Sequence, residues 1–330
     1  MLDDRKAAIL RAVVQEYIAT GQPVGSKHLA ETSGVGASPA TIRNEMAALE
    51  QEGYLHQPHT SAGRVPTDRG YRFFVDSMTE RGSLDAGRSQ QIRSFFATAH
   101  GALEQMLHDT SQLLSDLTNY AAVVIGPPHE ATTVRSVQLV GLSSRVVLVV
   151  AVLSNGAIER RTLELDGELG DEQVGAASAH LNAHIRGASL GVLPPVPSTG
   201  DPRLDQLVES ARQALGVESE DPVFVGGASR MAAAFDAVET VRQVLRTLEQ
   251  QYVVVTLLRD VLDRGLTVAI GTELGVEPLS ACSVVVASYE VEGEPAGSIG
   301  VLGPTRMNYP QALAAVDAVS RRLGRRLSEG

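Results

Sequence analysis

The feature that most constrains this chain is a glycine-containing turn at residues 34–37, which separates two short segments of helical pattern. Before the turn, Ser26 is expected to be the N-cap of a short helix, because serine is a preferred residue at that position. After it, Ser38 at the N-cap and Pro39 at the first helical position predict a helix that runs to about Gln51. Two short helices joined by such a turn are the signature of a helix-turn-helix.

The flanking segments extend this pattern. Apolar residues spaced three and four apart over 3–19 predict a preceding helix. Residues 54–67 contain two short halves around a small polar tip, which is typical of a β-hairpin, and residues 68–78 predict a closing helix. The order helix, helix-turn-helix, hairpin and helix predicts a winged-helix DNA-binding domain. A small helical bundle used for protein contact is the alternative.

The predicted helix over 39–51 has two unlike faces. Its apolar residues lie on one narrow arc and are expected to pack inward, whereas the opposite side is small or amide-bearing. The inward set is Ile42, Met46 and Leu49, and the outward set is Ala40, Asn44, Ala47 and Gln51. An amide pairs well with adenine, and a guanidinium with guanine or phosphate. We therefore predict that Thr41, Arg43 and Asn44 contact base edges in the major groove.

Polar side chains around this helix and on the hairpin are predicted to contact the DNA backbone or the groove walls. Hydroxyl, imidazole and cationic groups donate readily to phosphate, and an arginine near the tip of a wing can enter the minor groove. The predicted set is Ser26, Lys27, Ser38, His59, Thr60, Ser61 and Arg64.

The distribution of charge along the chain is compatible with DNA binding, although the net charge of the whole chain does not favour it. The chain carries a net charge of −11. Residues 1–81 hold nine Lys and Arg against ten Asp and Glu, so a nearly neutral block precedes a strongly acidic body. Affinity for a polyanion depends on the local field rather than on the total charge.

Cysteine usage and apolar runs indicate a cytoplasmic protein. Cys282 is the only cysteine in the sequence, so no intramolecular disulfide or cysteine-built zinc site can form. The longest apolar run, residues 146–153, is far shorter than the about 20 residues that a membrane helix needs. The first residues are polar and resemble no signal peptide. We therefore expect no membrane association.

Several long strings closely resemble those of the heat-inducible transcription repressor HrcA family. They are PVGSK at 23–27, SPATIRN at 38–44, QPHTSAGR at 57–64, GYR at 70–72 and GSIGVLGPTRMNY at 297–309. The resemblance covers the whole length and implies a dimeric repressor of chaperone operons that binds double-stranded DNA at the CIRCE inverted repeat. It also implies release on heat shock and dependence on the GroE chaperonin.

The body of the chain has an α+β pattern. Strands predicted over 134–142, 145–153 and 158–165 form an antiparallel meander, whose central strand is apolar enough for burial on both faces. Helical segments and then three more strands and a final helix follow, which suggests one sheet domain with an insertion. The family resemblance implies a GAF-like domain interrupted by an inserted dimerisation domain. The predicted domains are a winged helix over 1–80, the GAF-like domain over 81–165 and 255–330, and the insert over 166–254.

No motif for catalysis or for a metal ion stands out. His180 and His184 are spaced for a metal on one helix face, but a solvated face is the simpler interpretation. Gly226 and Gly227 suit a turn better than an anion site, and Cys282 suits an inert core position. We expect no enzyme activity and no cofactor. The alternatives are a ligand-gated regulator whose GAF-like domain senses a small metabolite, and a hydrolase with a winged-helix appendage.

Overall fold

The computed structural model describes residues 2–59, 62–78, 82–98, 103–127, 132–154, 156–216, 222–232, 238–265 and 267–329. Over these residues the chain is a mixed α and β protein with three antiparallel sheets of two, five and three strands. The expectation of a mixed α and β protein is confirmed.

The N-terminal unit contains four helices and a two-stranded hairpin. In chain order they are α1 (Asp4–Thr20), α2 (Ser26–Thr32), α3 (Pro39–Gln51), β1 (Leu55–His56), β2 (Val65–Pro66) and α4 (Asp68–Asp76). Helix α3 has the predicted bounds, because the Ser38 hydroxyl accepts a hydrogen bond from the Thr41 amide and Pro39 begins the first turn. The prediction that Ser26 caps α2 is wrong. Ser26 is the first residue of that helix, and Gly25 occupies the N-cap.

The remaining elements follow in chain order. They are α5 (Ala86–Thr98), α6 (Leu103–Thr118), β3 (Ala121–Ile125), β4 (Val134–Ser143), β5 (Val146–Leu153), β6 (Ile158–Glu164), α7 (Asp171–Ile185), α8 (Pro202–Leu215), β7 (Val223–Gly226), α9 (Ala228–Ala232), α10 (Val238–Glu249), α11 (Gln251–Asp263), β8 (Val268–Ile270), β9 (Cys282–Val291), β10 (Glu294–Pro304) and α12 (Tyr309–Ser328). Short 3-10 turns lie at Leu190–Val192, Gly271–Leu274 and Glu277–Leu279.

The five-stranded sheet, in the order β7-β3-β10-β9-β8, forms the centre of the C-terminal part of the molecule. Helices α6 and α12 pack on one face of this central sheet, and α10 and α11 pack on the other. Ala122 and Val124 of β3 belong to the first core, whereas Ala121, Val123 and Ile125 belong to the second. Because both faces are covered, β3 is buried along its whole length.

The meander of β4, β5 and β6 does not join the central sheet. These strands form a separate small sheet in that order, and α7 and α8 pack on one of its faces. The expectation of a single sheet interrupted after residue 165 is therefore wrong. The strand that precedes the interruption is β3, which has five apolar residues without alternation and was not among the predicted strands.

The chain leaves the central sheet after β3, forms the small sheet and its helices, and re-enters the central sheet at the neighbouring strand β7. In the antiparallel pairing of β3 with β7, Ala122 lies opposite Gly226 and Ile125 lies opposite Val223. Directly beyond this pairing, the Gly126 amide donates to the Pro222 carbonyl at 2.8 Å. The unit over residues 132–216 is thus inserted between two neighbouring strands.

The central strand of the small sheet has one covered face and one open face. Residues along β5 alternate between buried and half-buried. Val147, Val149 and Leu153 are fully buried in the main core, whereas Leu148 and Val150 are half-buried. The prediction that β5 is buried on both faces is wrong, because α7 and α8 cover only one side.

Two buried tyrosines meet where the N-terminal unit contacts the central sheet domain. The ring centroids of Tyr71 and Tyr309 lie 5.9 Å apart. The Tyr309 hydroxyl forms hydrogen bonds with Ser283 Oγ at 2.9 Å and the Thr305 carbonyl at 2.5 Å. The buried Tyr71 hydroxyl has no hydrogen-bond partner among the described residues. Burial raises the pKa of both phenols above its ordinary value.

The two tyrosines are expected to respond differently to the same substitution. Tyr71→Phe removes a hydroxyl without a partner, so the free energy of unfolding should stay unchanged or rise by up to about 1 kcal/mol. Tyr309→Phe breaks two hydrogen bonds, so that free energy should fall by about 1–2 kcal/mol. Urea unfolding followed by circular dichroism measures both values. Equal losses for the two variants would contradict these hydrogen-bond assignments.

Candidate nucleic-acid interface

Helix α3 presents the face that the sequence pattern predicts. Its three core residues, Ile42, Met46 and Leu49, are at most 3% exposed. The opposite side is open to solvent. Its members are Ala40, Asn44 and Gln51, which are exposed, and Ala47, which is half-buried. The helix is therefore fixed by its apolar arc and offers small and amide side chains outward.

Arg43 and Asn44 lie exposed on the second turn of α3. Within the described part of the chain, neither side chain has a hydrogen-bond or ion-pair partner. A partner that approaches this turn therefore meets one guanidinium and one amide whose donors and acceptors are not occupied by the protein. These are the two groups that pair with base edges in the major groove.

The two hydroxyls at the start of α3 already interact with each other. Ser38 Oγ lies 2.9 Å from Thr41 Oγ1 and accepts from the Thr41 amide at 3.1 Å. Ser38 is exposed and Thr41 is half-buried. A hydroxyl donates one hydrogen bond and accepts two, so this capping arrangement does not use the full capacity of either group.

The first residues of α2 border this surface. Lys27 is exposed, and Ser26 is half-buried in the first turn. Their contact with the DNA backbone stays a prediction.

The base of the hairpin is held against the segment between α1 and α2. Val24 and Arg64 exchange two backbone hydrogen bonds, each at 2.9 Å. Gly63 lies so close to Val24 that an added Cβ would overlap its carbonyl, so only glycine fits at this position. A single paired residue gives no periodic signal, so sequence analysis did not find this third strand-like segment.

Arg64 lies at the base of the hairpin rather than near its tip. Its Nε donates to Glu50 Oε2 at 2.9 Å, and its side chain is 18% exposed. This ion pair joins the hairpin to the last turn of α3. Glu50 is thus a residue of the interface that sequence analysis missed, because no local spacing rule connects residues 14 positions apart.

The tip of the hairpin is closed by short-range hydrogen bonds. Gln57 Nε2 donates to the Ala62 carbonyl at 2.9 Å, and the Ala62 amide donates to the His59 carbonyl at 2.9 Å. His59 is exposed. The predicted contacts Thr60 and Ser61 lie outside the described residues.

Arg64→Ala is expected to weaken binding to all DNA sequences and to lower the slope of log affinity against log salt by about one unit, because one phosphate contact is lost. Glu50→Gln is the matched variant. It keeps the guanidinium and removes the paired carboxylate, so the slope should not fall. Titrations at four salt concentrations measure both slopes. A parent-like slope for Arg64→Ala would remove Arg64 from the backbone contacts.

Other candidate sites show no geometry for chemistry. The His180 and His184 rings lie 4.5 Å apart, and their ring nitrogens bond to the Pro197 and His180 carbonyls. Across the described ranges, no three His, Cys, Asp or Glu residues are grouped to hold a metal ion. Cys282 is buried, and burial raises the pKa of its thiol to about 12. The helices of the described chain include none that is long and apolar enough to cross a bilayer.

A helix held by a buried apolar arc, with an exposed amide and guanidinium beside a hairpin, is the arrangement expected of a DNA-binding transcription regulator. Comparison with known proteins specifies the family. Residues 104–313 match the family described as HrcA protein C terminal domain. The heat-inducible transcription repressor HrcA of Acidothermus cellulolyticus is 40% identical, with 100% of both chains covered. The repressor of the same name from Pelotomaculum thermopropionicum is 39% identical over 98% of this chain and 96% of its own.

A solved structure shows the same fold. It is the crystal structure of a hypothetical protein, which matches 100% of this chain and 99% of its own with a TM-score of 0.70 and 24% identity. The chain belongs to the HrcA family. It is a repressor of heat-shock gene transcription and not an enzyme, which confirms the resemblance seen in the sequence.

Proposed function

We propose that this chain represses transcription as a two-fold dimer that inserts two copies of α3 into the major groove of an inverted-repeat operator. The observation that carries the proposal is the exposed turn of α3, where Arg43 and Asn44 stand on a helix fixed by a buried apolar arc. A small-sided helix of this kind enters the major groove deeply enough for its side chains to reach base edges.

The element order of the N-terminal unit supports a winged helix. Helices α1, α2 and α3 precede the hairpin and α4 closes the unit, while Val24 pairs with the hairpin base as a first short strand. In this assignment α3 is the recognition helix and residues 57–64 are the wing. Thr41, Arg43 and Asn44 contact bases. The phosphate and groove contacts are Ser26, Lys27, Ser38, His59, Thr60, Ser61 and Arg64.

The central sheet supports a GAF-like domain with an inserted unit. Its five antiparallel strands carry helices on both faces, and its chain is interrupted between β3 and β7. This topology favours an insert over about 132–216 rather than over 166–254. In this assignment residues 1–80 form the DNA-binding unit.

The open face of the small sheet supports dimerisation through the insert. Apolar side chains from all three strands share that face by register. They are Val140, Leu148, Val150, Val152 and Ile158, of which Val140 and Ile158 are exposed and the others are half-buried. An apolar surface of this kind on a protein that binds a two-fold operator is suited to a second copy of the chain.

The edge of β4 is less suited to that contact than the face. The Val137 amide donates to Asn182 Oδ1 and the Leu139 amide donates to Ser178 Oγ, each at 2.9 Å. Side chains of α7 thus satisfy backbone groups that an incoming strand would need. We therefore propose a face-to-face contact between two small sheets.

A ligand-gated regulator would need a pocket for a metabolite, and the space between α10, α11 and the central sheet is small. The cavity between these helices and the central sheet has a volume of about 10 Å³ and is lined by side chains such as Val123, Leu257 and Val301. Such a volume holds about one water molecule. The described residues therefore favour a filled core over a metabolite pocket at this face.

A gel shift with the CIRCE inverted repeat at a stated salt concentration tests the proposed function. We expect a complex with two chains per duplex that a scrambled duplex does not compete away. GroE chaperonin is expected to increase the active fraction after heating, because it returns unfolded chains to the folded population. Equal affinity for scrambled DNA would refute the operator assignment, and an unchanged active fraction would refute the chaperonin link. A ligand-specific shift in melting temperature and in operator affinity would favour the alternative.

A further inference from the structure

Arg72 of α4 connects the N-terminal unit to the central sheet domain. Its Nη2 donates to the Val268 carbonyl at 2.8 Å, and its Nε donates to Glu273 Oε1 at 2.9 Å. Its Nη2 also bonds to the second carboxylate oxygen of Glu273. A bidentate pair of this kind fixes the direction of both side chains. Arg72 belongs to the sequence GYR at residues 70–72, one of the segments that resemble the HrcA family. No contact with DNA is assigned to this segment.

A second contact lies one turn earlier on α4. Asp68 Oδ2 accepts from the backbone amide and the hydroxyl of Thr272, both at 3.1 Å. Gly271 has a φ of +54° and lies so close to the Asp68 carboxylate that an added Cβ would overlap it. The turn after β8 is therefore shaped to receive α4.

Arg306 extends from the central sheet domain to the N-terminal unit, where it lies against Gly21. Its Nη1 lies 3.4 Å from the position that a Cβ on Gly21 would take, and Gly21 is the C-cap of α1. The last turn of α1 carries no basic side chain of its own. Arg306 thus supplies the cation that the negative end of the helix dipole favours. Together with the Tyr71–Tyr309 contact, these interactions form the junction between the N-terminal unit and the central sheet domain.

The Arg72–Glu273 pair is partly shielded from solvent, since the two side chains are 23% and 30% exposed. Partial burial opposes ionisation of Glu273. Hydrogen bonds from Arg72 and the Ile270 amide outweigh that effect, so the pKa of the carboxyl lies below its ordinary value. The pair therefore contributes fully at neutral pH and is lost only as the pH falls through this lowered pKa.

Hydrogen bonds inside the N-terminal unit transmit the position of α4 to α3. Thr67, the N-cap of α4, donates through its hydroxyl to the Gly53 carbonyl at 2.7 Å. Arg69 Nη1 donates to the carbonyl of Glu52, the C-cap of α3, at 2.7 Å. A junction that fixes α4 on the central sheet domain therefore also fixes α3.

We propose that Arg72 and Glu273 are positioning residues that set the separation and rotation of the two α3 helices, and hence the half-site spacing that the dimer accepts. This inference rests on the proposed function as a dimer on an inverted repeat. One base pair moves a half-site by about 3.4 Å and turns it by about 34–36°. A rigid junction thus makes binding depend steeply on spacer length, whereas a loose junction lowers the effective concentration of the second α3.

The test compares the full-length parent chain with Glu273→Gln on three kinds of duplex. They are the CIRCE inverted repeat, the same repeat with one base pair added to or removed from its spacer, and a single half-site. Glu209→Gln is the matched control, because Glu209 pairs with Arg212 inside α8 at side-chain exposures of 46% and 24%. Fluorescence anisotropy at one fixed salt concentration measures the Kd on each duplex.

For the parent and Glu209→Gln, a one-base-pair change of the spacer is expected to raise the Kd at least about tenfold. For Glu273→Gln, the Kd on the inverted repeat should rise about tenfold and vary less than about threefold with spacer length. Its Kd on the single half-site should stay within about twofold of the parent value. Arg72→Gln also removes the donor to the Val268 carbonyl, so it should flatten the spacer profile at least as much. The double variant should be no worse than Arg72→Gln, because each single variant already loses the Arg72–Glu273 pair.

An unchanged spacer profile for Glu273→Gln would overturn the inference, and so would equal weakening on the single half-site. If the parent chain shows no preference for any inverted repeat, the proposed function is refuted instead. This outcome is measured on the parent chain alone, so it is distinct from a failure of the inference about Arg72 and Glu273. Thermal melting shows whether each variant is folded. If Glu273→Gln does not fold, Arg72→Lys carries the same test, because it keeps the charge and loses the bidentate fork. It should give the same flattened spacer profile.

Discussion

Replacing Asn44 by alanine is expected to weaken operator binding by about 1–3 kcal/mol, or about 5- to 150-fold. Asn44 is exposed on the second turn of α3, so the change removes an amide without disturbing the buried arc. Binding to unrelated DNA should weaken less, because phosphate contacts supply most of that affinity. Footprinting and competition with unrelated DNA measure the two affinities.

Gln51→Ala is the matched control for this prediction. Gln51 also carries an exposed amide on the outward side of α3, but it lies about 10 Å further along the helix axis. Recognition helices contact bases mainly through their N-terminal residues, so this variant should bind almost as the parent does. Equal losses for the two substitutions, or an unchanged footprint with Asn44→Ala, would show that another surface recognises the operator.

Leu148→Lys is expected to convert the proposed dimer to a monomer and to lower operator affinity on the order of 10²–10⁴-fold, because the two half-sites are then bound independently. Leu148 lies opposite Val140 of β4 and Thr162 of β6, at the centre of the open sheet face. A lysine there would place an unpaired charge in an apolar contact. Light scattering measures the mass, and anisotropy measures the affinity.

Val192→Lys provides the control for an added charge on an exposed apolar residue. Val192 is 80% exposed in a 3-10 turn outside the three strands. In solution this variant should keep a mass of about twice the 34.9 kDa of one chain. Parent-like affinity of Leu148→Lys for a single half-site would show that the DNA-binding unit is intact. A dimeric Leu148→Lys would mean that the interface lies elsewhere.

Helix α3 and its faces follow from the sequence because the information that defines them is local. Ser38 and Pro39 specify the first turn, and the spacing of Ile42, Met46 and Leu49 specifies the buried side. The three strands of the meander also follow from local patterns, since each pairs with its neighbour along the chain.

The division into two sheets does not follow from such patterns. β3 pairs with β10, so that Ile125 lies opposite Ser298, and no local signal reports so distant a partner. The ion pairs at the candidate interface and at the junction also join residues that are distant in the sequence. Arg64 and Glu50 are 14 residues apart, and Arg72 and Glu273 are 201 residues apart. Residue type alone shows that these side chains can form ion pairs, and only the tertiary fold selects the partner.

The hydrogen bond between Gly126 and Pro222 has a consequence for how such regulators diversify. Since the chain leaves and re-enters the central sheet at one place, the segment between these residues can be exchanged as a cassette while the neighbouring strands keep their pairing. If this segment forms the proposed dimer contact, replacing it with a different self-associating unit would change the spacing of the DNA sites recognised together, and the base preference of each site would stay the same.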